Sequence, residues 1–300
     1  MSFDPPPYKF SFIAAPDDLL PHVNALYTFE TDLAEMEEFL PAYSGQLTLF
    51  MQGSVELACP EQPVGEIGDA FFLAPQMKAT PFKAKGPVRG MGVSLTSQGW
   101  AALTGLAVNE YHSRQIDPAA CLPAALAARV TAALEARCKG ALDDTALADR
   151  LIKLVRDGVA ELPQKHAALI RTTFNWLGES FSPRVEDLYE RLPYSQRQAQ
   201  RLIVRFFGQP PATLVRRYRA IRAASLLALP RLAPEVIAEL REAYYDQAHF
   251  IRDIREFTGR TPRALGPKED TVVKDMLGPE GYGMVDLIAK GEADSDSAAS

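Results

Sequence analysis

Apolar and polar residues alternate along much of the first third of the chain, between residues 9 and 95. In the segment GQLTLFMQGSVELAC (45–59), Leu47, Leu49 and Met51 occupy every second position, which is typical of a β-strand. The glycine-containing stretch 52–54 then predicts a hairpin turn. Further short strands are predicted in GDAFFLAP and GMGVSL, at 68–75 and 90–95. Short strands separated by regularly spaced Gly and Pro predict a small antiparallel β-barrel or sandwich.

A helical period replaces this alternation further along the chain. A short helix is predicted over 97–104, and apolar residues three or four apart predict longer helices over 119–138, 145–162 and 164–180. Asp144 is suited to cap the second of the longer helices. Beyond Pro267 the helical pattern ends, and the last stretch, KGEADSDSAAS (290–300), is small, polar and acidic. Residues 269–300 are therefore predicted to be disordered.

These patterns predict an α+β protein with four successive segments. Residues 1–115 form a small antiparallel β-barrel, and residues 116–163 form a helical linker or a dimerisation segment. Residues 164–268 form an all-α domain, and residues 269–300 form the tail. No apolar stretch of about 18 residues is present, and the first residues lack the features of a secretory signal, so we expect a cytoplasmic protein.

Two stretches of the all-α domain share one plan, at 185–208 and 236–259. Each contains a short helix, a turn and a second helix, and Ser195 and Asp246 are suited to cap the two second helices. Both stretches end in an aromatic residue, one further residue, Gly, two residues and Pro, in FFGQPP and FTGRTP. Glycine with a following proline terminates helices. The repeat predicts two helix-turn-helix units in tandem.

The helix predicted between the two units, over 212–229, sets their separation. About 17 residues at 1.5 Å each span about 25 Å. Neighbouring major grooves on one face of duplex DNA are about 34 Å apart. A stiff connection of this length therefore suits two units that address adjacent grooves.

The charge of the chain is distributed unevenly. The net charge is −6, yet residues 164–268 contain 18 Lys and Arg against 10 Asp and Glu, a balance of +8, so the remainder carries −14. Sixteen of those 18 cations are arginine. Arginine offers a planar fork of donors that suits phosphates and guanine edges. Double-stranded DNA is therefore the expected partner of this basic segment.

The segment from about 164 to 265 resembles the DNA-binding domain of the AraC/XylS family of bacterial transcription regulators. The stretch YYDQAHFIRDIREFTGRTP (244–262) is close to the second helix-turn-helix signature of that family. The strand-rich first third, followed by helices, is similar in layout to the cupin-like sensory domain of the same family. The resemblance implies a transcription regulator and not an enzyme.

Positions carried over from this resemblance identify candidate DNA-binding residues. In the first unit they are Arg197, Gln200 and Arg201, and Arg205 lies on the same polar face of the helix. In the second unit they are Gln247, Ala248, His249 and Arg252. Arginines of the connecting helix are expected either to contact phosphates or to be solvated, and these are Arg216, Arg217, Arg219 and Arg222.

Some residues depart from the family pattern. Pro193 and Ala243 stand where the turns of such units usually have glycine, and Pro193 has no backbone N–H. The sequence leaves open whether Pro193 distorts the first turn. Asp253 and Glu256 are expected to make the outer face of the last helix less basic.

No catalytic, cofactor or metal site is expected. Residues 9–95 contain one histidine, His22, and the three cysteines have no CxxC spacing. His249 has no neighbouring histidine at HxxxH or HxH spacing. Large apolar residues of the barrel either line an effector cavity or simply form the core, and these are Phe50, Phe71, Phe72 and Met91.

The partners of the predicted regulator are double-stranded DNA and a second copy of the chain, as a homodimer. A small-molecule effector in the N-terminal barrel and RNA polymerase are further candidate partners, and no membrane partner is expected. The alternative hypothesis is a small-molecule-binding or enzymatic barrel protein whose helical half no longer binds DNA. Its motivation is Pro193 and the overall acidity.

Overall fold

The structure is a computed structural model, and it describes residues 6–229, 234–244, 246–266 and 271–278. Two compact units divide the chain. The first comprises residues 1–38, 43–76 and 80–162, and the second comprises residues 39–42, 77–79 and 163–300. Two short segments of the strand region therefore belong to the helical unit, which the sequence pattern did not indicate.

Antiparallel strands dominate the first unit. The strands are β1 (Tyr8–Ala14), β2 (Val23–Thr31), β3 (Glu35–Leu40), β4 (Gln46–Leu57), β5 (Ala70–Leu73), β6 (Thr80–Leu95) and β7 (Gln115–Ile116). They form one sheet in the order β1-β2-β6-β4-β5-β7, with β3 also paired to β6. The sheet path runs openly from β1 to β7 rather than closing on itself. The predicted class, an antiparallel sheet followed by helices, is confirmed.

The predicted hairpin at 52–54 is wrong. β4 continues from Gln46 to Leu57, and both of its halves pair with β6. The pairing register shifts on either side of Gln52, so the glycine-containing stretch forms an irregularity within a long strand rather than a turn. The 16 residues of β6 provide partners for both halves.

Five helices complete the first unit: α1 (Ser97–Thr104), α2 (Val108–Tyr111), α3 (Pro118–Cys121), α4 (Ala124–Cys138) and α5 (Asp144–Gly158). The helix predicted over 119–138 is thus two helices. Pro123 separates them because a residue preceding proline disfavours the helical conformation, and Leu122 is extended. The cap of α5 is Asp143 rather than the predicted Asp144, and its carboxylate accepts from the Ala146 N–H at 2.8 Å.

The core of the first unit lies where the sheet meets these helices. Leu47, Leu49, Phe72 and Met91 have no exposed surface, and neither has Trp100 of α1. Phe71 is also buried, whereas Phe50 is half-buried. Of the four large apolar residues considered for an effector cavity, Phe71, Phe72 and Met91 are therefore core residues.

The second unit contains seven helices in the described residues. They are α6 (Gln164–Gly178), α7 (Val185–Arg191), α8 (Gln196–Phe207), α9 (Pro211–Leu227), α10 (Pro234–Ala243), α11 (Gln247–Thr258) and α12 (Val272–Leu277). Ala220 and Ile221, at the middle of α9, are buried, and this helix contacts α6, α8, α11 and α12. α9 is therefore the central helix of the unit.

The tail predicted over 269–300 is ordered in part. Residues 271–278 include α12, and Val272, Val273, Met276 and Leu277 are buried. These four apolar residues form one buried stripe of a short helix. Composition alone did not separate this segment from the acidic sequence that follows it. Residues 269–270 and 279–300 lie outside the described residues.

Candidate nucleic-acid interface

The first helix-turn-helix is formed by α7 and α8. The turn between them, 192–195, is centred on Pro193, and the Tyr194 N–H donates to the Leu192 carbonyl at 2.8 Å. A three-residue turn of this kind requires a φ that proline already has, and it needs no N–H from its central residue. Pro193 therefore lies between the two helices without breaking a hydrogen bond of either.

A capping box begins α8. The Ser195 hydroxyl accepts from the Gln198 N–H, and the Gln198 side chain accepts from the Ser195 N–H at 3.2 Å. These two bonds satisfy donors that a helix start otherwise leaves free. Since the cap fixes where the helix begins, it also fixes which side chains of α8 face outward.

The outward face of α8 is made of arginine and glutamine. Arg197, Gln200, Arg201 and Arg205 are exposed, and none of them makes a hydrogen bond or ion pair with another described residue. The opposite face, which includes Ala199, Ile203 and Phe206, is buried. All four predicted residues of this unit thus share one solvent-facing surface.

The second helix-turn-helix is formed by α10 and α11. Asp246 caps α11, with its carboxylate accepting from the Ala248 N–H at 2.8 Å. Gln247, Ala248 and Arg252 are exposed, as the sequence predicts for DNA-binding residues. His249 differs from them, because its Nε2 lies 3.4 Å from the Asp253 carboxylate and its side chain is 43% exposed.

Two further residues extend the outward face of α11. Ile251 and Arg255 are exposed and lie three and seven positions after Ala248, on the same side of the helix as Arg252. The resemblance to a family signature did not point to them. Helical spacing from Ala248 is the signal by which they could have been found.

The arginines of α9 are used inside the protein, which corrects the expectation that they contact phosphates or solvent. Arg217 is 5% exposed, and burial lowers its pKa. Its guanidinium donates to the Phe207 carbonyl at the end of α8, at 3.4 Å. Arg222 stacks over the Phe181 ring at 4.4 Å, and burial lowers its pKa as well.

Arg216 and Arg219 hold α11 against α9. Arg216 Nε donates to Asp253 Oδ1 at 2.7 Å, and the same guanidinium also bonds Glu256. Arg219 Nη2 lies 3.5 Å from Asp253 Oδ2. Together with Arg217, these residues attach both outward-facing helices to one rigid connecting helix.

The sequence predicts that Asp253 and Glu256 make the outward face of α11 less basic. In the structure their carboxylates are instead paired within the protein. Asp253 has no exposed surface, and its charge is opposed by Arg216 and Arg219. Glu256 is half-buried. Burial alone would raise the pKa of Glu256, but hydrogen bonds from Lys78 and Arg216 outweigh burial and hold this pKa below its ordinary value.

The C-terminal end of α11 receives partners from the two short segments of the second unit. The Ala42 N–H donates to the Phe257 carbonyl at 2.7 Å, and the Ala79 N–H donates to the Glu256 carbonyl at 3.0 Å. Carbonyls in the last turn of a helix have no partner within the helix. Segments 39–42 and 77–79 thus complete the end of α11.

The chemistry of the two outward faces favours a polyanion. Free guanidinium groups can bond phosphates or guanine edges, and glutamine amides can bond adenine edges. The arginines that the protein pairs internally lie on other surfaces, as in the pair of Arg191 and Glu179. Five exposed arginines without a hydrogen bond or ion pair to a described residue lie on α8 and α11: Arg197, Arg201, Arg205, Arg252 and Arg255. In this motif the second helix is the one that enters the major groove.

The part of the chain that the structure describes shows no sign of a metal site or a membrane span. It contains no group of three or more His, Cys, Asp and Glu side chains arranged to hold a metal ion. No described helix is both long and apolar enough to cross a membrane. The three cysteines are free thiols, and Cys138 is exposed.

Comparison with known proteins adds one family match. Residues 188–266 match a family model described as a helix-turn-helix domain. That range begins within α7 and extends through α11. No curated protein matches the sequence.

Solved structures similar to the chain include three of ToxT from Vibrio cholerae. The first has 10% identity and a TM-score of 0.43, and covers 80% of this chain and 97% of ToxT. The second, bound to (E)-4-(8-methylnaphthalen-1-yl)but-3-enoic acid, has 10% identity and a TM-score of 0.44. It covers 86% of this chain and 98% of ToxT. The third has 8% identity and a TM-score of 0.42, and covers 86% of this chain and 97% of ToxT. Similarity at this level does not establish a shared function.

Proposed function

We propose that the chain is a cytoplasmic, sequence-specific DNA-binding transcription regulator of the AraC/XylS type. The match of residues 188–266 to a helix-turn-helix family model supports this proposal. The observation that carries the proposal is the arginine and glutamine face on each of α8 and α11. Both faces are exposed, and their arginines and glutamines make no hydrogen bond or ion pair with another described residue. Each face belongs to the second helix of its unit, which is the helix that enters the major groove in this motif.

The proposed base readers follow from this assignment. In α8 they are Arg197, Gln200 and Arg201, with Arg205 placed to contact a phosphate or a base. In α11 they are Gln247, Ala248 and Arg252, whereas His249 is shared between the groove and Asp253. α9 is proposed to hold the two helices at a fixed separation through Arg216 and Arg217.

The first unit is proposed to regulate this activity. An effector bound within the first unit, or a homodimer formed through α4 and α5, would act by favouring one DNA-binding state over another. RNA polymerase is the expected target of the bound regulator. Analytical ultracentrifugation of the full chain would test the dimer, and a single species with the mass of one chain would contradict it.

A mobility-shift experiment tests the central proposal. The full chain is incubated with duplexes that tile the region upstream of its own gene, in the presence of excess unrelated competitor DNA. We expect one or a few tiles to be retained, with two protected major-groove segments about one helical turn apart in a footprint. The double variant Arg201→Ala/Arg252→Ala should lose this retention. Equal retention of all tiles by both proteins would contradict sequence-specific recognition.

A further inference from the structure

The outward face of α11 includes an exposed apolar residue, Ile251. Ile251 is 39% exposed, although three other large apolar residues of this helix turn inward, namely Phe250, Ile254 and Phe257. A β-branched residue at an exposed helix position does not improve helix stability. Helix propensity therefore does not account for isoleucine at this position.

The neighbours of Ile251 are the proposed base readers. Ala248 lies one turn before it, Arg252 follows directly, and Arg255 lies one turn after it, and all three are exposed. These spacings place the four residues on one side of the helix. The result is a small apolar patch, Ala248 and Ile251. It is bordered by two guanidinium groups that have no hydrogen-bond or ion-pair partner among the described residues.

The face of α8 is different in chemistry. Its exposed residues between 196 and 205 are all arginine or glutamine, and its apolar residues are buried or half-buried. A purely polar face reads donors and acceptors on base edges. A face that includes an apolar patch can also contact an apolar group of a base. The faces of α8 and α11 are therefore suited to different base-pair features.

Thymine is the base that suits an apolar patch on a helix in the major groove. In the major groove every base pair presents hydrogen-bonding groups, and thymine alone among the four bases adds a methyl group, at C5. Bordering arginines at the same time favour a neighbouring guanine or the phosphates. We propose that Ile251 is a specificity-determining residue that contacts a thymine methyl group within the α11 half-site. This inference rests on the proposed DNA-binding function and deepens it.

A selection experiment followed by a single-group substitution tests the inference. Duplexes are selected from a random pool by the full wild-type chain and by Ile251→Ala, at one salt concentration. We expect Ile251→Ala to lose a thymine preference at one position while the preferences due to α8 persist. Uracil is then placed at that position, because uracil pairs as thymine does but lacks the methyl group.

The expected effect of uracil is about a fourfold loss of wild-type affinity, which corresponds to the transfer of one methyl group. Ile251→Ala should bind the thymine and uracil duplexes equally. The uracil measurement uses the wild-type protein, so it does not depend on the folding of a variant. Leu33→Ala is the matched control, because Leu33 is 38% exposed and belongs to the first unit, and it should retain the fourfold difference.

Two negative results have different meanings. A wild-type chain that selects no sequence would overturn the proposed function and this inference together. A wild-type chain that selects a defined sequence, while Ile251→Ala keeps every thymine preference and the same response to uracil, would overturn this inference alone.

Discussion

Asp253 connects α11 to α9 through a buried carboxylate. It is fully buried in the middle of α11, with Arg216 and Arg219 of α9 on its carboxylate. The phenol of Tyr244 lies close by, stacked under Arg219, and burial raises its pKa to about 12. Asp253 is thus the acidic side chain that both arginines contact.

Replacing Asp253 with alanine should destabilise the second unit. Removing one member of a buried ion pair leaves the opposite charge uncompensated, which costs about 3 kcal/mol. Urea unfolding followed by the fluorescence of Trp176, in a Trp100→Phe background, would measure the change in the helical unit. Glu179→Ala breaks the exposed pair with Arg191 and should cost far less. Equal losses for the two variants would contradict a structural role for Asp253.

Arg252 should contribute base preference rather than stability. The side chain is exposed and makes no hydrogen bond or ion pair with a described residue. Arg252→Ala should relax the preferred sequence at one or two positions and weaken specific binding by about 1–3 kcal/mol, as measured by competition binding. Arg171→Ala removes an exposed arginine of α6 and should leave the preferred sequence intact. A sequence preference that survives Arg252→Ala would reject this assignment.

At the scale of single elements, the start of α8 depends on its capping box. Ser195→Ala removes the acceptor for the Gln198 N–H and should destabilise the helix by about 1 kcal/mol. Thermal unfolding of the second unit would measure this loss. Ser195→Asp keeps an acceptor at the same place and should recover most of the stability. If Ser195→Asp were no more stable than Ser195→Ala, loss of the capping acceptor would not explain the destabilisation.

The end of α11 depends on Gly259. This residue has φ 74°, and a Cβ built on it would lie 2.3 Å from the Phe39 ring. Gly140 has φ 70° but open space around the same position. We expect Gly140→Ala to cost about 1–2 kcal/mol for the backbone conformation alone, and Gly259→Ala to cost more. Calorimetry would compare the two, and equal losses would show that contact with Phe39 is unimportant.

The whole molecule is acidic, yet the proposed DNA-binding surface is basic. The net charge is −6, and the +8 balance of residues 164–268 includes arginines that are paired or buried inside the protein. The charge available to DNA is therefore smaller than the sequence count, and it lies mainly on α8 and α11. Specific binding should accordingly respond to salt through those few residues.

Salt dependence tests that distribution of charge. The binding constant should fall as salt rises, because each neutralised phosphate releases counterions. Arg205→Gln should reduce the slope of log affinity against log salt by about 1. Arg191→Gln should leave the slope unchanged, because Glu179 already neutralises that guanidinium within the protein. The same reduction from both variants would contradict the assignment of unpaired arginines to the DNA-binding surface.

Local signals made the helical unit predictable. Ser195 and Asp246 cap helices by bonding N–H groups only two or three positions away, so their role is visible in sequence. Strand pairing was less predictable. The partner of Ser54 in β4 is Lys85, and alternation within β4 contains no information about a partner so distant along the chain. The predicted hairpin at 52–54 failed for that reason.

The sequence by itself determined the tandem helix-turn-helix plan and the outward arginines of α8, because helical period and capping act over a few residues. Only the tertiary structure decided which other arginines remain unpaired and exposed, and so able to contact DNA. Arg216, Arg217, Arg219 and Arg222 look as basic in sequence as Arg201, but they are used within the second unit. Ion pairing and burial depend on which side chains are close in the folded chain. The local sequence pattern contains no information about those long-range contacts.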